Sequence, residues 1–390
     1  MLFLAEGEKN QMPLYHDDDQ AMLADTAGQF MADEGAIEKQ LRHWRDRDCP
    51  DGFGHALWKQ FAEMGFTGIL VEEDHGGLGM GHVEAGIVLE EIGRNLTPSP
   101  FLASSVLAAT ALKHGGNDVK GRWLPGLVEG EKVYTAAIDE GAKHRPERIS
   151  TKAEKSGNGF KLTGQKDFVL HGASADMMVV AARTSGSDSD EDGITLFAVP
   201  KDASNMSHEA VRLVDSSVAT HTKFDGVELD GDAVIGEVDN GRKILNAMLM
   251  AGRVGAAAEG AGVARGAMDR TVDYLKQRKQ FGKLIGEFQA LQHRAAHLYS
   301  EVEIARAAVV KAAQMLDAGS EQADLMASVA KAKVAKAAGL AVKEGVQMHG
   351  GIGMTDEYDI GLFMKRDRAL QEFLGDMYYH AGRVAELSGY

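Results

Sequence analysis

Asp273–Gln289 reads DYLKQRKQFGKLIGEFQ, and Gln347–Tyr358 reads QMHGGIGMTDEY. The first stretch sets Lys276, Arg278, Lys279 and Lys283 around Phe281-Gly282; the second places Gly350, Gly351 and Gly353 just after Gln347. An arginine offers a fixed fork of donors that matches phosphate oxygens, and paired glycines let a backbone approach a bound group closely. Each stretch also has a plainer reading. Clustered lysines and arginines commonly form a solvated helix face, and glycines end helices of every kind.

Outward from these stretches the texture is helical. From Asn240 to the C-terminus the chain is rich in Ala, Lys, Gln and Met, and no proline follows Pro200. Such sequence sustains long helices, so a four-helix bundle is expected. Between about Val133 and Ile235 short β-rich runs, Phe160–Leu162, Met177–Ala182 and Ile194–Val199, alternate with turn clusters and predict a sheet or small barrel. Within that region Thr184–Gly193 is acidic and free of aromatics, and is expected to be a mobile surface loop. Ahead of it Ala85–Arg94 and Ser99–His114 show helical spacing, interrupted by Pro98 and Pro100. The order α, β, α makes the fold class α+β. It divides the chain into an N-terminal helical domain, 1–131, a middle β domain, 132–236, and a C-terminal helical bundle, 237–390.

Composition narrows the function. With 390 residues, 44% of them hydrophobic, the chain can bury a large core, and a net charge of −16 argues against nucleic acid or an anionic membrane as partner. No run approaches the ~20 apolar residues of a membrane span. Met1–Leu4 is apolar, but Glu6, Glu8 and Asp17–Asp19 follow without the basic region of a signal peptide. Cys49 is the single cysteine, which excludes an internal disulfide, and a cytoplasmic location is expected. His293 and His297 lie one helical turn apart, yet no third ligand is evident and no metal is expected.

Val71–Gly79, Leu162–Gly172, Phe224–Gly236, Asp273–Gln289 and Gln347–Tyr358 together resemble, in order and separation, the motifs of the acyl-CoA dehydrogenase family. The resemblance covers nearly the whole chain. It is nearest in texture to the small subunit of pimeloyl-CoA dehydrogenase and similar partner subunits of heteromeric members, acting on dicarboxylyl or steroid side-chain CoA thioesters. The family implies FAD, an acyl-CoA substrate oxidised to the 2-enoyl-CoA, and an electron-transferring flavoprotein as acceptor. In that chemistry a glutamate takes the α-proton while the β-hydride passes to the flavin. The usual glutamate position, counted from Gln347, falls on Leu374, and the alternative position, just before Arg253, is Gly252. Neither can accept a proton, so no catalytic residue is assigned. Glu372, Asp376 and Glu259 lie nearby in sequence and are expected to be solvated surface carboxylates.

Other departures concern the flavin ring. By the resemblance a ring-binding threonine has become Asp139, a serine Arg145 and a second threonine Leu170, while Phe168 retains an aromatic that can stack. The residues that grip FAD bound to a neighbouring subunit are retained: Arg278, Phe281, Gln289, Gln347, Gly350 and Gly351. This asymmetry implies a subunit that completes the FAD site of a sister chain in an α2β2 assembly. A homomeric enzyme with a non-standard base, or a non-catalytic structural or CoA-binding homologue, are the alternatives. Gly252, Gly255 and Ala256–Ala258 are small enough to suggest room for a bulky acyl group.

Overall fold

The computed structural model describes residues 13–390. Met1–Leu4, Glu6 and Glu8, on which the reading of the chain's start rests, lie outside the described residues. The N-terminal part holds α1 (Asp18–Asp33), α2 (His43–Asp46), α3 (His55–Glu63), α4 (His82–Asn95), α5 (Ala109–Leu112) and α6 (Asn117–Val128). Asp17 caps α1 by accepting the Gln20 N–H at 2.9 Å, and the Gln20 side chain returns the bond as a capping box. α4 stops where the prolines predict. Leu96 turns left-handed at φ 49°, its N–H closing back on the carbonyls of Gly93 and Ile92.

The middle part forms β1 (Tyr134–Ala137), β2 (Lys152–Ser156), β3 (Gly159–Leu170), β4 (Met177–Arg183), β5 (Ile194–Pro200), β6 (Met206–Arg212), β7 (Val218–Leu229) and β8 (Val234–Ile235). They build one sheet in the order β6-β7-β3-β2-β4-β5-β8, with β1 parallel to β4. Both faces are covered. Along β4, Met178, Val180 and Ala182 pack with Phe160, Phe197 and Phe224 on one side, while Met177, Val179 and Ala181 join the main core shared with the helices. The register of β3 against β7 slips between Lys166 and Val169, so that Asp167 and Phe168 together oppose His221. This bulge, with Phe168 at φ 53°, turns its ring out of the sheet. The acidic loop Thr184–Gly193 lies at the surface, as expected, and it is anchored. Buried Arg183 donates to the carbonyls of Asp188 (3.1 Å), Asp190 (3.1 Å) and Asp192 (2.5 Å), which pins the loop by its backbone and leaves its carboxylates outside.

The C-terminal part is α7 (Arg242–Gln277), α8 (Gln289–Asp317), α9 (Ala323–His349), α10 (Ile360–Glu372) and α11 (Met377–Leu387). α7 runs through the centre of the molecule and meets α4 backbone to backbone. A Cβ on Gly262 would fall 1.9 Å from the Glu90 carbonyl oxygen, and one on Gly93 would fall 2.0 Å from that of Glu259. The small residues of α7 therefore serve close helix packing and leave no room for a bulky ligand: a Cβ on Gly255 would meet Leu102 at 2.8 Å, and Ala256–Ala258 are buried. Among the described residues no helix is long and apolar enough to cross a membrane.

Candidate functional site

The three parts meet around a cavity of about 700 Å³. Leu107 from the N-terminal part and Leu374 from the α10–α11 turn line it, and behind them lies Gly252 on α7. A Cβ on Gly252 would stand 2.5 Å from both Leu107 Cδ2 and Leu374 Cδ1. The two positions expected for a base thus converge on one point in space, and that point is apolar.

Leu374 is not helical. It sits at φ 56° between α10 and α11, so no helical rotation sets Glu372 and Asp376 away from its face. Other bonds occupy both carboxylates. Glu372 pairs with Arg368 at 2.7 Å, and Asp376 caps α11 by accepting the Tyr379 N–H at 2.8 Å. The turn is held from below by buried groups. Lys331 Nζ donates to the carbonyls of Leu370 (2.8 Å) and Gly375 (3.2 Å), and His380 Nε2 donates to Leu374 O at 3.0 Å. Burial lowers Lys331 to about 8. Burial, aided by the charge of Lys331, lowers His380 to about 2, so its ring is neutral and its one N–H is committed to that carbonyl.

Glu259 is not the solvated carboxylate expected from the sequence. It is 2% exposed and takes Arg366 Nε at 2.8 Å and Nη2 at 2.5 Å, while Arg366 Nη1 reaches Asp215 at 2.6 Å. Burial by itself would lower the arginine's pKa, but the two carboxylates more than offset it and the net direction is upward. All three groups are consumed by one network joining α7, α10 and the β6–β7 turn, and Glu259 is no free base.

Asp139 lines the cavity, but its carboxylate is not bare. His144 Nδ1 lies 2.9 Å from each of its oxygens, and the Arg145 N–H reaches it at 3.3 Å. Behind the imidazole stands Tyr379, ring centroids 5.1 Å apart, whose hydroxyl accepts from Arg253 at 3.1 Å. Leu170 offers the cavity only an apolar side chain, its carbonyl being taken by Thr135 Oγ1 at 2.6 Å. Phe168 is 44% exposed on the cavity wall with its ring edge against His221 at 5.0 Å, and His221 is itself held by Asp167 at 2.6 Å. Sequence reasoning misses His144, Tyr379, Arg366 and Lys331. Only His144, five residues past Asp139, carries a local hint.

The remaining candidates lie elsewhere. Arg278 ends α7, and a two-stranded hairpin, Lys279–Gln280 with Lys283–Leu284, carries Phe281 at its tip, 90% exposed. Gln289 opens α8 and Gln347 lies in the last turn of α9. A stack of Tyr274 on His349, centroids 4.4 Å apart and flanked by Tyr358, joins the end of α7 to the end of α9 and so brings both motifs to one edge of the molecule. Gly350 requires its φ of 65°, but Gly351 does not show a positive φ, and a Cβ there would meet nothing within 4 Å. Among the described residues nothing asks for glycine at 351. Of the residues expected to grip the cofactor Phe168 alone lines the cavity; Arg278, Phe281, Gln289, Gln347, Gly350 and Gly351 do not. His293 and His297 are exposed, and among the described residues no group of His, Cys, Asp or Glu is arranged to hold a metal ion.

A helical domain, a sheet covered on both faces and a helical bundle close on this cavity, which is the arrangement of the acyl-CoA dehydrogenase fold. The chain belongs to the acyl-CoA dehydrogenase family, whose N-terminal, middle and C-terminal domains match residues 17–131, 136–227 and 239–387. It is 33% identical over 322 residues to acyl-CoA dehydrogenase FadE12 of Mycobacterium tuberculosis, spanning 80% of this chain and 82% of that protein. The butyryl-CoA dehydrogenase structure from Megasphaera elsdenii superposes with a TM-score of 0.88 at 26% identity, over 97% of this chain and 100% of that one. A variant of the Tcur3481-Tcur3483 steroid ACAD superposes at 0.85 with 28% identity, over 95% and 98%. Members of the family are oxidoreductases that bind FAD. The residues present fit that group in one half only. The exposed Gly350-Gly351 turn, on the same edge as Arg278, offers the donors and backbone room that phosphates would need, whereas the cavity wall at Asp139 presents a carboxylate already tied to an imidazole and would offer a planar ring no donor there.

Proposed function

We propose that this chain is the non-catalytic partner subunit of a heteromeric FAD-dependent acyl-CoA dehydrogenase, of the kind represented by the small subunit of pimeloyl-CoA dehydrogenase. Bound FAD would supply the acceptor for the β-hydride of the acyl thioester, while a glutamate of the sister chain would take the α-proton. A sister chain in an α2β2 assembly supplies the glutamate and the seat for the ring, and an electron-transferring flavoprotein is the expected electron acceptor. This chain contributes Arg278 as a bidentate donor to phosphate oxygens, the Gly350-Gly351 backbone for close approach, Gln289 and Gln347 as amide donors, and Phe281 as an apolar contact.

The observation that carries this reading is the separation of the two halves. The cavity floor is apolar at Leu374, Leu107 and Gly252, while the phosphate-suited groups sit on another edge and do not line it. A flavin that reached both sets would be shared between two chains, and Leu374 with Gly252 leaves this chain's own cavity without a proton acceptor, which favours a sister chain over a second copy as the holder of the ring. A steroid enzyme with a two-part name, Tcur3481-Tcur3483, is among the structural relatives, which agrees with a heteromer.

The test is the visible spectrum of the chain purified alone and purified with its sister subunit. Yellow protein only from the pair is expected, and stoichiometric flavin on the lone chain overturns the proposal. In the complex, Arg278→Ala removes charge-assisted bonds to phosphate. FAD retention after gel filtration should then weaken about tenfold or more.

A further inference from the structure

We infer that the Asp139–His144 pair is a built clasp that keeps a flavin ring out of this chain's own cavity, and so decides which subunit of the assembly carries the ring. The inference rests on the heteromer reading, and extends it from a loss of binding groups to a specific, removable obstruction.

Three features of the geometry carry it. First, the pair is held from several sides. His144 Nδ1 faces both Asp139 oxygens at 2.9 Å, the Arg145 N–H adds a bond at 3.3 Å, and the Asp139 carbonyl accepts the Asp167 N–H from β3 at 2.8 Å. Second, the loop spans two parts of the fold. The imidazole packs edge-on against Tyr379 of α11, and Lys143 Nζ stands 4.0 Å from Asp376 in the α10–α11 turn. The clasp thus crosses from the sheet to the bundle at the cavity wall. Third, the His144 side chain is 4% exposed, and its Nε2 has no hydrogen-bond partner among the described residues. Leaving such a nitrogen buried and unpaired is costly, so the conformation persists because the carboxylate and the Tyr379 contact hold it.

Beneath the clasp the cavity has not collapsed. It keeps about 700 Å³, and Phe168 remains half-exposed on its wall. The floor at Leu374 is sealed, but a missing base does not by itself refuse a planar ring; a base acts on substrate. What meets a ring at this wall is the Asp139 carboxylate, fixed in place by the buried imidazole and offering only acceptors to the acceptor edge of a flavin ring. Removing the charge and the imidazole together opens the wall. Removing either alone leaves an unpaired carboxylate or an unpaired imidazole in the same place.

The experiment titrates the full-length chain with FAD and, separately, with riboflavin, following flavin fluorescence. Riboflavin lacks the adenylate and reads the cavity without the Arg278 edge. Asp139→Thr/His144→Gly is expected to bind both flavins at least about tenfold tighter than the parent chain, and Asp139→Ser/His144→Ala to follow it should the first variant fold poorly. Leu374→Glu is expected to gain nothing. A folded double variant, judged by near-ultraviolet circular dichroism, that binds both flavins no tighter than the parent overturns the clasp and leaves the heteromer reading standing. Tight riboflavin binding by the parent chain overturns the clasp directly. Stoichiometric FAD on the parent chain overturns the heteromer reading, and the clasp with it.

Discussion

Replacing Arg366 with methionine tests whether the sheet and the C-terminal bundle are held together through charge. The guanidinium makes two bonds to Glu259 on α7, at 2.8 and 2.5 Å, and one to Asp215 before β7, at 2.6 Å. Both carboxylate side chains are 3% exposed. Methionine fills most of the aliphatic volume but strands two buried negative charges near one another. Breaking a single buried pair costs about 3–5 kcal/mol, and with two acceptors abandoned at once the upper end, about 5 kcal/mol, is expected for Arg366→Met. The effect should appear in urea unfolding at neutral pH, followed by tryptophan fluorescence and circular dichroism, as a shift of the transition that releases the sheet from the bundle. Arg366→Met/Glu259→Gln/Asp215→Asn should regain at least half of the loss, because neutral amides are far less costly to bury than unpaired carboxylates. A single variant destabilised by less than about 1 kcal/mol, the range of a surface pair, refutes the reasoning. So does a triple variant no more stable than the single one.

Three further outcomes follow from the same geometry. Gly262→Ala drives a methyl toward the Glu90 carbonyl, 1.9 Å from its ideal position, and should destabilise by about 1–3 kcal/mol or more in the same urea assay; an unchanged midpoint would mean α4 and α7 are not in backbone contact. His171 is lowered from 6.5 to about 4, first by burial and then by the charge of Arg366, so the unfolded chain takes up the proton before the folded one does. Its contribution is complete above about pH 6.5, is lost as pH falls toward 4, and amounts to at most about 3.5 kcal/mol at roughly 1.4 kcal/mol per unit. His171→Asn, which tolerates the left-handed φ of 55°, should therefore flatten the acid limb of a stability–pH profile without abolishing it, since buried His380 remains; an identical slope contradicts the assignment. Leu374→Glu should lower stability by a few kcal/mol, about the cost of a buried unpaired carboxylate, and yield no acyl-CoA oxidation by the lone chain; measurable turnover would show that the cavity still seats a flavin.

The helical spans and the sheet are legible in the sequence because their signals are local. Proline at 98 and 100 ends α4, the proline-free stretch after Pro200 permits helices as long as α7, and β-branched runs mark β4 and β5. The site is legible only by analogy with motifs. Leu374 and Gly252 lie far apart in the chain, and no local periodicity brings them to one point; the packing of α7 under the α10–α11 turn does. The acidic loop misleads because its composition suggests mobility, while the carbonyl acceptors that anchor it to Arg183 carry no sequence signature. Glu259 misleads for a similar reason. Seven residues along a helix fix the face it shares with Gly252, but not whether that face meets solvent or the guanidinium of Arg366.

By itself the sequence determined the order of the three parts, a matter of short-range periodicity and proline placement, while the choice of Leu374 and Gly252 as expected base positions and of the Arg278 and Gln347 motifs as expected phosphate grips came from the resemblance to the family. Only the tertiary structure decided that Asp139 is tied to His144, that Glu259 is spent on Arg366, and that the phosphate-suited edge stands apart from the cavity. Those facts depend on pairs brought within 3 Å and on distances between elements, which are set by how α4, α7 and the sheet pack, not by any segment read alone.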